Sequence, residues 1–174
     1  MRLHTIVSSN DAPDHKYLMI KVVVIFGVSG AWRSQELVKL KIEDIEEIKL
    51  GLLVKVPHTK TKKPRSFTVM GENCLRTYRK YLALRPKNFN ERRLFIKYQD
   101  GVCHRQVVGI HKISSVPQEV AKYLNLENVN EYSGHCLRRT SATLLVDSGD
   151  DITSLGVYSS ISISSCRIRH ISNG

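Results

Sequence analysis

The chain of 174 residues has no apolar run long enough to cross a bilayer. The best candidate, LMIKVVVIFGVSG from Leu18, falls short of the ~20 apolar residues a spanning helix needs and carries Lys21. The first fifteen residues, MRLHTIVSSNDAPDH, lack the apolar h-region of a signal peptide. A soluble, intracellular protein that does not span a membrane is the expectation. Cysteine pairs are also missing: Cys74, Cys103, Cys136 and Cys166 stand 29, 33 and 30 residues apart with no C-x-x-C. That spacing excludes the usual zinc-site patterns and a dense disulfide framework, so four reduced thiols and no metal are expected. Acidic residues are scarce, with 16 Asp+Glu against 27 Lys+Arg and a net charge of +11. No internal repeat is present. With 41% hydrophobic residues the composition is that of an ordinary globular domain, and the charge points to a polyanionic partner, nucleic acid or an acidic membrane surface.

Residues 1–13 are polar and expected to fray, with one domain over 14–155. Asp14 is placed to cap a helix through HKYLMIKVVVIFGV, in which Leu18, Val22, Ile25 and Phe26 recur at helical spacing. Gly27 and Gly30 break that run. Leu37, Leu40 and Ile45 then suggest a second short helix and a turn, beside a Trp32 that packs in the core. GLLVKV (51–56) and RSFTVM (65–70) read as strands, and the intervening PHTKTKKP, bracketed by Pro57 and Pro64, as a hairpin with a basic tip. From Gly71, the spacing of Leu75, Tyr78 and Leu82 predicts an amphipathic helix whose other face carries Arg76, Arg79 and Lys80; Pro86 closes it. RLFIKY reads as a short strand, and YQDGVCHRQVVG as a loop with an Asp100-Gly101 turn. A helix is expected around VPQEVAKYL with Pro117 near its first turn. HCLRRTSATLLV supplies another, with Leu137, Ser141, Leu144 and Leu145 as its buried stripe; Gly149 ends it and DITSL begins the next. Residues 156–174 form an atypical Ser- and Ile-rich tail.

The chemistry lies in the order Arg33, Lys60, His135, Arg138. In a helix beginning near His135, i, i+3 spacing puts His135 and Arg138 on one face of the first turn, where free backbone N–H groups and the helix dipole favour an anion. A phosphate there would meet a His donor and an Arg fork, and Arg33 could clamp it from the other side. Lys60 on the hairpin tip suits a general acid for a leaving alkoxide.

These residues stand in motifs that resemble the tyrosine recombinases, or phage-type integrases. GVSGAWRSQELVKLKIEDI resembles the family's arginine box, with Arg33, Glu36, Leu37, Leu40 and Asp44 in the pattern positions. HTKTKKPRSFTV resembles its catalytic-lysine hairpin, with Lys60 the better match and Lys62 the reserve. GHCLRRTSATLLVDSGDDITSL resembles its H-x-x-R box and following helix. The resemblance runs from about Asp14 to Leu155 and leans toward the recombinase-like genes of eukaryotic mobile elements. It implies an α+β, mainly helical catalytic domain with a small antiparallel β-sheet. It also implies recombination or integration of double-stranded DNA through a phosphotyrosyl link, without metal or cofactor, on a homo-oligomer, and in the nucleus if the host is eukaryotic. Glu36 would steady the basic site.

Two departures accompany the match. No G-H or G-W pair follows the H-x-x-R helix, and the sole downstream tyrosine, Tyr158, comes 20 residues after Arg138, too early for the family nucleophile. The tail is therefore expected to be out of frame, alternatively spliced or decayed. Only about thirty residues precede Arg33, too few for the family's N-terminal helical domain. Such a chain would hold DNA from one side and not recombine it unaided. A non-catalytic DNA-binding or protein-interaction module and a type IB topoisomerase fragment are the alternatives. Arg139 points off the shared face and is read as a salt-bridge or phosphate-positioning residue, while Cys136, at a helix start, has no partner residues for cysteine catalysis.

The positive charge is concentrated. Residues 55–112 hold 15 Lys+Arg and three Asp+Glu, whereas the rest of the chain is near neutral. Lys62, Lys63, Arg65, Arg76, Arg79 and Lys80 are accordingly expected to meet DNA, with Arg139 beside the phosphate, and binding is expected to weaken steeply with salt.

Overall fold

A computed structural model describes residues 13–57, 64–147 and 159–161, with side chains up to residue 141. Its first helix, α1 (Asp14–Ser29), is buried continuously from Leu18 to Ser29. A helix apolar all round belongs in the centre of a core, and α1 packs against four other helices and two strands. The four-residue stripe expected from the sequence is thus too narrow. Lys21 sits within this buried run and gives its ammonium to Asp14 at 2.9 Å. Asp14 itself is not the cap: Pro13 holds that position, and the Asp14 carboxylate in the first turn is shared between Lys21 and Lys80. Both hydrogen bonds hold its pKa below the ordinary carboxylate value. Gly27 does not break the helix; it lies inside, and Gly30 ends it.

α2 (Ser34–Lys39) and a 3-10 turn (Ile42–Asp44) follow. β1 (Ile45–Ile48), β2 (Gly51–Val56) and β3 (Arg65–Met70) pair antiparallel in that order, in register Ile45↔Val54 and Val54↔Phe67. Alternation sends Leu52, Val54 and Val56 into the core from β2, and Phe67 and Val69 from β3. Both strands of the expected hairpin fall where the sequence put them. β1 was not expected there. Its IEEI sequence has two glutamates at its centre, and they are held as a strand by Glu46–Lys55 (3.1 Å) and Glu47–Arg79 (2.6 Å).

α3 (Glu72–Ala83) begins after Gly71 and buries Cys74, Leu75, Tyr78 and Tyr81. Phe26 meets Tyr78 and Phe95 edge-on, with centroids 6.1 and 6.4 Å apart. β4 (Ile96–Gln99) and β5 (Val102–Val107) form a second hairpin about Asp100 (φ 51°) and Gly101 (φ 82°), the signature of a type I′ turn. The segment read as a loop is therefore a strand, its turn correctly placed. α4 (Ile110–Tyr123) starts well before Pro117, which lies buried inside the helix and not in its first turn. α5 (His135–Asp147) closes the described helices and buries Cys136, Leu137, Thr140 and Ser141. Leu144 and Leu145 fall beyond the described side chains.

β6 (Ser159–Ile161) runs parallel to β3, in register Phe67↔Ser159 and Val69↔Ile161, so the sheet order is β1-β2-β3-β6. The small antiparallel sheet expected from the hairpin is present, and β6 adds a parallel strand at its β3 edge, so part of the tail pairs with the domain. Residues 1–12 and the segment from Gly149 through Leu155 lie outside the described residues. Cys74, Cys103 and Cys136 are free and buried.

Candidate functional site

Two helix starts meet at the site. Arg33 immediately precedes α2, its backbone N–H donating to the Glu36 carboxylate at 3.0 Å and its Nη1 reaching the other carboxylate oxygen at 3.5 Å. Glu36 thereby closes the first turn of α2 from within, as an acidic group at a helix start does well. His135 is the first residue of α5 and Arg138 lies three residues on; both are exposed.

Two glycines bring these starts together. A Cβ on Gly134 would stand 2.6 Å from Ser34 Oγ and 3.5 Å from Ser114, so the residue before His135 sits directly on the residue after Arg33. A Cβ on Gly27 would lie 2.6 Å from Leu137 Cδ1, which seats α5 tightly on α1. The fold thus joins the arginine box to the H-x-x-R box, far apart in the chain. Among the described residues no carboxylate pairs with Arg138.

Arg65, expected on the DNA side, turns inward. It opens β3 on the same face as Phe67 and Val69, and its side chain is only 20% exposed. Its guanidinium bonds Glu36 at 2.9 Å and the Gly30 carbonyl at 2.5 Å, and stacks 5.5 Å from the Trp32 ring. Burial lowers its pKa first; Glu36 opposes that, while the Arg33 and Arg138 charges lower it further. Both of those arginines are therefore close enough to be felt. Trp32 is fully buried, edge-on to Phe67 at 5.2 Å, as expected of a core residue.

The cationic face of α3 is largely engaged. Arg79 pairs with Glu47 at 2.6 Å, Lys80 with Asp14 at 2.8 Å, and Arg76 bonds Asn73 at 2.8 Å. Elsewhere in the basic segment, Lys55, Arg92, Arg93 and Lys112 also meet carboxylates. The concentration of charge seen along the sequence is offset in space by Asp14, Glu43, Glu46, Glu47 and Glu119, all from outside that segment. Arg139 lies 3.7 Å from the buried Cys136 sulfur. Lys60, Lys62, Lys63 and Tyr158 lie outside the described residues.

Among the described residues, no three His, Cys, Asp or Glu side chains are placed to hold a metal ion. No helix of the described residues is long and apolar enough to cross a membrane. A cavity of about 410 Å³ opens between the β4–β5 hairpin and the start of α4, lined by Met19, Lys97, Gln106 and Lys112 among others; none of the motif residues lines it.

The architecture is that of the tyrosine-recombinase catalytic domain. Residues 2–164 match the phage integrase family, and the chain belongs to it. Among solved structures it is similar to XerA recombinase, at 23% identity and TM-score 0.67 over 94% of this chain and 54% of that one. It is also similar to XerH site-specific recombinase bound to palindromic difH substrate in a post-cleavage complex, at 17% and 0.67 over 88% and 42%. A lambda integrase (75–356) dimer bound to a COC′ core site is similar at 14% and 0.57 over 99% and 59%. The chain spans about half the length of these structures. No curated protein matches it.

Proposed function

We propose that this domain grips the backbone of double-stranded DNA at one phosphate, through Arg33 from one side and His135 with Arg138 from the other, as part of a DNA recombination or integration machinery. One observation carries the reading: the contact of Gly134 with Ser34, which sets the two basic boxes side by side. Guanidinium groups and a helix start replace a metal as charge stabilisers in such a site. Lys60 would protonate the leaving oxygen. The attacking hydroxyl would come from a tyrosine, for which Tyr158, the sole downstream one in the sequence, is a weak candidate because it comes early, or from a group supplied in trans by another copy on the DNA. The setting is intracellular, and nuclear in a eukaryotic host.

Vanadate, a phosphate mimic, tests the pocket, and a nicked duplex that traps covalent adducts tests the chemistry. The expected result is vanadate binding that Arg138→Ala weakens at least about tenfold, with no adduct formed by the chain alone. Duplex binding without vanadate binding would favour a module that holds DNA through its surface charge. A trapped adduct would assign the cleavage step to this chain.

A further inference from the structure

Glu36 is 5% exposed, and a carboxylate so buried needs a full charge-assisted partner. Two arginines compete for that role. Arg33 offers its backbone N–H at 3.0 Å but its guanidinium only at 3.5 Å, and its side chain stays 38% exposed. Arg65 offers its guanidinium at 2.9 Å and anchors it to the Gly30 carbonyl and against Trp32. Gly30 and Glu36 lie on either side of Arg33 in the chain, so one guanidinium brackets the turn that presents Arg33.

We infer that Arg65 is a positioning residue: by occupying Glu36 it keeps that carboxylate from closing on Arg33, and so leaves the Arg33 guanidinium available to an anion. The inference rests on the reading of Arg33, His135 and Arg138 as a phosphate site. It also reassigns Arg65 from contacting DNA to shaping the pocket behind it. Arg65 sits at the base of the lysine hairpin, so the strand that carries the basic loop back into the sheet also sets the Arg33 turn.

The test has two arms. In the anion-free structure of Arg65→Met, Glu36 should draw the Arg33 guanidinium in from 3.5 Å to a charge-assisted ~2.9 Å. In vanadate titrations Arg65→Met should bind at least about tenfold more weakly, and Glu36→Gln/Arg65→Met should recover to within about threefold of Glu36→Gln. The first arm separates positioning from general loosening of the fold: neutralising Glu36 also relieves a buried unpaired charge, whereas only positioning draws Arg33 onto Glu36 in Arg65→Met. An Arg33–Glu36 separation unchanged in Arg65→Met overturns the inference, as does a double variant that stays weak. If Arg65→Met does not fold, Arg65→Lys decides: a lysine keeps the charge but lacks the fork that holds Glu36 and the Gly30 carbonyl together, so Arg33 should close on Glu36 and vanadate binding fall, and an unchanged Arg33–Glu36 separation overturns the idea. Arg33 closing on Glu36 in a protein that never binds vanadate would support the positioning role and remove the phosphate site.

Discussion

Two groups of basic residues behave differently in this domain. Those on α3 and along the strands are spent on neighbours: Arg79 on Glu47, Lys80 on Asp14, Lys55 on Glu46. Those at the helix starts are organised around one buried carboxylate, with Arg138 beyond it meeting no acid among the described residues. A count along the sequence ranks the first group as the electrostatic footprint. Pairing in space moves the weight to the second, because a cation already facing a carboxylate gives up part of its pull on a phosphate.

The comparison breaks most visibly at Glu36. Glu36→Ala leaves Arg65 buried without its partner and should lower the unfolding free energy by about 3–5 kcal/mol, measured by urea titration. A loss below 1 kcal/mol would mean that the Arg65 cluster is solvated after all. Next comes Arg138→Ala, which should leave the unfolding midpoint nearly unchanged, since no ion pair is lost, while flattening the slope of log affinity for duplex DNA against log salt by about one unit. Arg79→Ala sharpens the contrast: its slope should change by clearly less than Arg138→Ala, and its stability by about 0.5 kcal/mol or less, the worth of an exposed pair.

Acid offers a further check. The Asp14 carboxyl is held below its ordinary pKa by Lys21, then by Lys80. A depressed carboxylate adds stability above its unfolded pKa of about 4 and loses it as pH falls through the lower folded value. The thermal midpoint should therefore drop below about pH 4, with Lys21 left buried and unpaired. Asp14→Asn should be less stable at neutral pH and show a shallower acid limb. Equal acid limbs in parent and variant would remove Asp14 as the cause. Glu91, with its pKa lowered to about 2 by Arg93, contributes to the same limb and remains in both proteins, so the difference between them isolates Asp14.

How much was legible depended on whether the determining contacts were local. β2 and β3 show in the sequence because alternation and two flanking prolines are local signals. β1 does not, since its glutamates find their partners only in space, Glu46 at Lys55 on the neighbouring strand and Glu47 at Arg79 on α3. β5 was hidden by the polar run His104 to Gln106, exposed on a two-stranded hairpin. The helix start at His135, three residues before Arg138, was legible through motif spacing. Arg65 was not, because its basic neighbours drew it into the DNA-facing set. A signal was nevertheless present: in RSFTVM it alternates in phase with Phe67 and Val69, the two residues that face the core. The position of α4 was misjudged from Pro117, whose place inside the helix depends on tertiary burial and not on propensity.

The seat of Gly134 on Ser34 also bears on the order of folding. Arg33 and His135 are separated by about a hundred residues, so the pocket rests on one of the longest-range contacts in the domain. Closing so long a loop is an entropic step that the local hairpins and helices do not face. The Arg33 turn can be assembled by α1, α2 and β3 as soon as β3 is made. The meeting of the two basic boxes waits for α5 to dock, so during synthesis the domain becomes a compact body before its proposed phosphate site is assembled.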